Sequence, residues 1–201
     1  MPRIALLSTS DTDLLSARAA GADYALANPA RLDVSRELPA VLDGADLVLV
    51  RILGTARSWQ DGLDVLAARG LPTIVLGGEQ TPDAELMRRS TVPIGIAAQA
   101  HAYLAEGGAE NLRQLHAFVC DTVLLTGEGF DPPEVIPAWG RLERHGLAGD
   151  RSRVGILIYR AHHTSGNTAF VHALADAVDA TGDAVAVPMF CSSLRAAPPD
   201  L

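Results

Sequence analysis

Lysine is absent: all sixteen basic side chains of the 201-residue chain are arginine. Without an ε-amino group the chain can supply neither a Walker-A phosphate lysine nor a Schiff-base lysine, and the lysine that receiver-type phosphoacceptor domains require has no candidate. Aromatic residues make up only 4%, so the interior must be built from Ala, Val and Leu; 48% hydrophobic and 20% charged residues otherwise describe a globular chain. Cysteine is limited to Cys120 and Cys191, far apart and without CxxC spacing, which indicates neither a disulfide framework nor a zinc site. Positive charge is short as well. Twenty-four acidic against sixteen basic residues leave a net charge of −8, which argues against a nucleic-acid partner. No run approaches the roughly 20 apolar residues that cross a bilayer. The apolar start at residues 4–7 meets Asp11 and Asp13 too soon for a secretory segment, so no membrane span and a cytoplasmic location are expected.

What is present is an alternation of short apolar runs with helical periodicity, the pattern of an α/β fold. Strands are expected at residues 4–7, 46–53 and 73–76, with helices after the first, over 59–69 up to Gly70, and in two further stretches marked by Ile96, Ala100, Tyr103 and Leu104 and by Leu112, Leu115, Val119 and Val123. This predicts a Rossmann-like or flavodoxin-like parallel sheet with an added helical stretch over residues 1–125. Gly127, Gly129, Pro132, Pro133 and Pro137 then mark a linker over 126–150. Beyond it, a strand at 154–159, a helix at 167–180 striped by Phe170, Val171, Leu174, Ala177 and Val178, and a strand at 184–190 form a partial second α/β unit over 151–201.

Ligands of open α/β sheets bind outside the carboxyl ends of the strands. In the first part those ends offer Asp11 and Asp13, read as helix N-capping residues, and Arg51, whose buried guanidinium needs a carboxylate, with Glu79 or Asp61 as candidates. The second part is denser. Tyr159 ends a strand, and Arg160, His162 and His163 follow in a short loop that opens a helix through Ser165, Gly166, Asn167 and Thr168. Backbone N–H groups beside Gly166, together with Arg160, suit a carboxylate or another anion. A neutral imidazole can take a proton or ligate a divalent metal. The competing structural reading has Ser165 or Asn167 capping the helix. His101 and His116 are read as core-edge residues, His172 as part of a solvated helix face, and His145 as a loop residue.

The string YRAHHTSGNTAFVHAL from Tyr159 resembles the opening motif of the cobaltochelatase large subunit (CobN type), a family related to the H subunit of magnesium chelatase. The segments LLSTSDTDLLSA, LANPARLD, VLGGEQTPDAELM, AHAYLAEGGAENLRQLHAF and PAWG agree, so the resemblance covers the whole chain. It implies an ATP-dependent enzyme part in cobalamin biosynthesis. Its tetrapyrrole substrate would be hydrogenobyrinic acid a,c-diamide and its substrate metal Co²⁺, with ATP hydrolysed by AAA+-related partner subunits and not bound by this chain. On this resemblance His162 and His163 are the catalytic candidates, as base or transient ligand. Tyr159, Arg160, Gly166, Asn167 and Thr168 are the substrate contacts, and the residues that handle the metal are left unassigned. Family members run several times longer, which implies the N-terminal region of a large subunit, inactive alone. A non-catalytic tetrapyrrole- or cobalt-binding module, or part of a magnesium chelatase H-type subunit, is the alternative.

Overall fold

Continuous apolar runs place the central strands of the first sheet. In the computed structural model, which describes residues 1–144, 151–193 and 195, β1 (Ile4–Ser8), β3 (Leu47–Ile52) and β4 (Thr73–Gly77) lie where the sequence predicts them. A fourth strand, β2 (Tyr24–Ala27), is unanticipated, because its four residues YALA carry no β-branched side chain and follow a turn. The sheet order is β2-β1-β3-β4 and every pair is parallel, which matches the first four strands of the flavodoxin-like order.

The two-residue period of the strands divides the core. Ile4, Leu6, Leu47, Leu49, Ile74 and Leu76 face Ala17 of α1 (Asp11–Ala19), Tyr103 and Leu104 of α5 (Ile94–Glu106), and Leu112, Leu115 and Val119 of α6 (Ala109–Thr122). Ala5, Leu7, Val48, Val50 and Val75 face Leu38 of α2 (Leu38–Val41), Leu63 and Leu66 of α3 (Gln60–Arg69), and Leu86 of α4 (Ala84–Met87). Helices therefore cover both faces, as a parallel sheet requires. The outer edge of β4 is met by side chains. Thr73 N–H donates to Thr91 Oγ1 (2.8 Å), Val75 N–H donates to Ser90 Oγ (2.9 Å), and Thr91 N–H donates back to the Thr73 carbonyl (2.8 Å).

The expected linker over 126–150 is divided between two compact units, Met1–Val135 and Ile136–Leu201. Its first part is strapped to α6. Asn111, which is buried, donates to the Glu134 carbonyl (2.9 Å) and accepts from Glu134 N–H (2.8 Å). Gln114 accepts from Asp131 N–H (2.8 Å), the Tyr103 hydroxyl donates to the Asp131 carbonyl, and Phe130 meets Phe118 edge-on. A chain rich in proline cannot pair its own backbone, so it leaves N–H and C=O groups that buried amides can satisfy.

In the second unit β6 (Ser152–Tyr159) and β7 (Ala184–Cys191) are parallel, and α7 (Arg160–Thr164) and α8 (Ala169–Asp179) lie between them in sequence. A short strand not anticipated from the sequence, β5 (Trp139–Arg141), runs antiparallel to β7 and gives the order β5-β7-β6. Arg144 ties down α8 through Asp176 (2.8 Å) and Asp179 (2.6 Å), and Asp179 also accepts from Ala186 N–H at the start of β7 (2.7 Å). The stripe expected on this helix is only partly buried. Val171 joins Ile158, Phe190 and Leu142 in the core and Ala175 is buried one turn later, while Phe170 is 48% and Leu174 51% exposed. A pair at i and i+4 is all that one helix can seat on so narrow a sheet.

Candidate functional site

The carboxyl ends of β1 and β3 hold the first cluster. Arg51 pairs with Asp13 (2.9 Å), and both side chains are under a tenth exposed. The expected partners Glu79 and Asp61 are displaced because α1 brings Asp13 over the end of β3. Ser8 Oγ donates to the second carboxylate oxygen of Asp13 (2.6 Å), and Arg51 also donates to the carbonyls of Gly78 (2.9 Å) and Leu104 (2.9 Å). The guanidinium thereby joins β3, α1, the end of α5 and the loop after β4. The capping expectation for Asp11 and Asp13 is corrected: both lie in the first turn of α1, but the cap bond is made by Ser10 Oγ, which accepts from Asp13 N–H (3.4 Å). Asp11 sits at the surface, where hydrogen bonds from Asn28 and Arg31 hold its carboxyl below the usual range.

The second cluster lies at the carboxyl end of β6. The stretch expected as a loop after Tyr159 folds as the five-residue helix α7. It closes in the manner of a helix C-terminus: Ser165 Oγ donates to the Ala161 carbonyl (2.7 Å), and Gly166, at φ +70°, donates from its N–H to the His163 carbonyl (3.1 Å). Neither Ser165 nor Asn167 caps α8. Its N-cap is Thr168, which makes no side-chain cap bond and whose carbonyl accepts from Val171 N–H (3.0 Å) and His172 N–H (3.1 Å).

The helix sends the two adjacent imidazoles to different neighbours. His163 stacks on Phe190 with centroids 4.1 Å apart and planes 9° apart, and burial together with the nearby Arg160 charge lowers its pKa. His162 instead meets Phe170 edge-on at 5.1 Å and lines a cavity of about 260 Å³ with Leu157, Ile158, Tyr159, Phe170 and Cys191. Tyr159 and His162 share this cavity, whereas Gly166 and Asn167 are exposed and Thr168 is half-buried at the helix start. Arg160 donates to the carbonyls of Pro137 (3.1 Å) and Ile136 (3.0 Å), so its guanidinium holds the incoming chain in addition to whatever anion it could meet. Cys191 escaped the sequence reading. The expected strand at 184–190 stops one residue short of it, and only the parallel register of β6 and β7 sets it beside Tyr159.

Among the described residues no group of three or more His, Cys, Asp or Glu side chains is placed to hold a metal ion. His101 donates from Nε2 to the Glu79 carbonyl (2.9 Å) and His116 to the Pro2 carbonyl (3.1 Å), both buried as core-edge residues. Cys120 lies 3.5 Å from His116 Nδ1, and burial pushes its thiol up to about 11. The His172 carbonyl accepts from Arg144 (3.4 Å), and His145 lies outside the described residues.

Burial is the leading cause that lowers His101, His116 and His163 below their ordinary 6.5. The unfolded chain therefore binds more protons as pH falls through that value. The contribution of these three groups is fully present above it and is lost below it. The thermal unfolding midpoint is expected to fall between about pH 7.5 and about pH 5.5, before carboxylates titrate appreciably. A scan in this window checks it, and a flat midpoint contradicts it.

No helix among the described residues is long and apolar enough to cross a membrane. The family model described as CobN/Magnesium Chelatase matches residues 101–200. The aerobic cobaltochelatase subunit CobN of Pseudomonas aeruginosa is 28% identical over 204 residues, covering 89% of this chain and 16% of the relative. That of Sinorhizobium sp. is 30% identical over 230 residues, covering 96% and 18%. The chain thus spans about a sixth of the length of the curated relatives it matches. Among solved structures, the catalytic subunit of cobaltochelatase from Mycobacterium tuberculosis superposes over 100% of this chain and 17% of its own, with a TM-score of 0.86 and 51% identity. The α/β architecture, the motif from Tyr159 onward and these relatives agree: the chain belongs to the CobN/magnesium chelatase family.

Proposed function

We propose that this chain contributes to the tetrapyrrole-holding large subunit of an ATP-dependent cobaltochelatase acting in the cytoplasm, which inserts Co²⁺ into hydrogenobyrinic acid a,c-diamide. The observation that carries the proposal is the cavity at the end of β6, an apolar recess whose lining includes a single imidazole, that of His162. Insertion replaces the single inner N–H proton of this corrin macrocycle by Co²⁺, so the site needs one proton acceptor and surroundings that strip water from the metal. His162 supplies the acceptor, as base or as transient ligand, and Leu157, Ile158 and Phe170 exclude water around it. His163 holds the backbone of α7 against Phe190 and thereby orients His162. Tyr159, on the same rim, and the Gly166–Asn167–Thr168 turn contact the periphery of the substrate, and Arg160 fixes that rim by holding residues 136 and 137. The lysine-free composition fits a division of labour in which AAA+-related partners hydrolyse the ATP.

The test is a chimaera in which this chain replaces the matching segment of the Mycobacterium tuberculosis catalytic subunit. Titration with hydrogenobyrinic acid a,c-diamide is expected to perturb the absorbance of the macrocycle saturably. Co²⁺, ATP and the partner subunits should then yield the metallated product, and the same mixture with Mg²⁺ and a porphyrin should not. A chimaera that folds but leaves the absorbance unchanged overturns the proposal.

A further inference from the structure

The second unit is a parallel pair with a bare flank. Among the described residues β6 pairs with β7 alone, so its other edge presents unpaired N–H and C=O groups. Apolar side chains are exposed on this strand and on α8. Leu157 is 40% and Tyr159 60% exposed on one face of the strand, Phe170 lines the same cavity, and Leu174, one turn further along α8, is 51% exposed. Parallel strands are ordinarily buried on both faces, and exposed apolar groups at strand and helix spacing together describe a seat for another strand with its covering helix.

The first unit shows what such a seat holds. There β1 is followed in the chain by β2 on one side, and β3 then crosses to the other side, which puts the reversal of direction between β1 and β3. The loops after those two strands close on each other: Thr9 N–H donates to the Arg51 carbonyl (3.1 Å) and Leu53 N–H donates to Thr9 Oγ1 (2.8 Å). In the second unit β6 is followed by β7 on one side, and the position equivalent to β3 is the bare edge. A strand placed there would create a second reversal, with its crevice outside the carboxyl end of β6, over His162 and the turn at Gly166.

We infer that the free edge of β6 takes a parallel strand from the remaining polypeptide of a cobaltochelatase large subunit, and that this strand supplies the missing wall of the cavity lined by His162. The occupant follows from length and fit. The solved catalytic subunit accommodates the whole of this chain in 17% of its own length, so the bulk of such a subunit is other polypeptide. The cavity of about 260 Å³ is below the usual range for ligand pockets, as half of a crevice would be. The strand addition stands on topology alone; only the identity of what enters the completed crevice rests on the function proposed above.

The experiment mixes this chain, without any tetrapyrrole, with the Mycobacterium tuberculosis catalytic subunit lacking its matching segment, and follows amide hydrogen exchange by mass spectrometry. The amides of residues 153–159 are expected to become roughly tenfold or more protected in the mixture, with those of α6 unchanged. Leu157→Asp and Leu174→Asp, each at an exposed position that the fold of this chain tolerates, are each expected to weaken the association roughly tenfold or more. If one variant fails to fold by circular dichroism, the other carries the comparison. Absence of association, association without protection of β6, or protection that rises with the concentration of this chain alone, which would mean a second copy on the edge, overturns the inference. Protection of β6 in a complex that then fails to bind the tetrapyrrole leaves the strand addition standing and removes the proposed function.

Discussion

Asp13→Ala is expected to lower the stability of the Met1–Val135 unit by about 3–5 kcal/mol, the range measured when one partner of a buried ion pair is removed. Two donors lose their acceptor together, the Arg51 guanidinium and the Ser8 hydroxyl, and the first turn of α1 loses its tie to β1 and β3. The charge left on Arg51 cannot escape to solvent, because its other N–H groups are committed to the carbonyls of Gly77, Gly78 and Leu104. A double-mutant cycle sharpens the result. Arg51→Met alone leaves an unpaired carboxylate and should also be costly, whereas Asp13→Ala combined with Arg51→Met should cost clearly less than the sum of the two. Urea unfolding midpoints with matched slopes provide the measurement. Additive single and double variants would mean that Asp13 and Arg51 stabilise the unit independently.

The second large effect is on chemistry. In the chimaeric large subunit, His162→Ala is expected to lower the rate of cobalt insertion about 100-fold or more, the usual worth of a positioned proton acceptor. Affinity for the tetrapyrrole should change far less, because the apolar lining of the cavity persists. His163→Ala should behave differently. It removes a ring stacked on Phe190, so it should destabilise the Ile136–Leu201 unit and affect rate and affinity together. His172→Ala should change neither by more than about twofold, since the Arg144 bond to that residue reaches its backbone carbonyl. Equal insertion rates for His162→Ala and the parent would remove His162 from the chemistry.

The sequence predicted most of the scaffold because burial on two faces writes itself as continuous apolar runs in β1, β3 and β4, and the apolar runs of β6 and β7 were readable in the same way although β6 is largely exposed. β2 and β5 were not. Tyr24–Ala27 and Trp139–Arg141 are short and poor in β-branched residues, and they are strands only because β1 and β7 offer them an edge. The same distinction separates the site residues. Local spacing located the group from Tyr159 to Thr168, but whether those residues formed a loop or a helix depended on Ser165 bonding back to Ala161 and on Gly166 taking a left-handed turn. That choice sends His162 to the cavity and His163 to the core. The partner of Arg51 was equally out of reach of a linear reading, because thirty-eight positions of chain separate it from Asp13 and only the packing of α1 on the sheet brings them together.

Ser90 and Thr91, at the outer edge of β4, govern how that side of the molecule behaves in a crowded solution. A strand at the end of a sheet is a template onto which any other extended chain can add, the first step towards domain swapping or fibre growth. Two hydroxyls occupy the N–H groups of Thr73 and Val75 that such an intruder would need. The first sheet therefore terminates itself on that side. Protection of this kind belongs to the β4 end of the sheet; at the other end β2 pairs with β1 alone among the described residues.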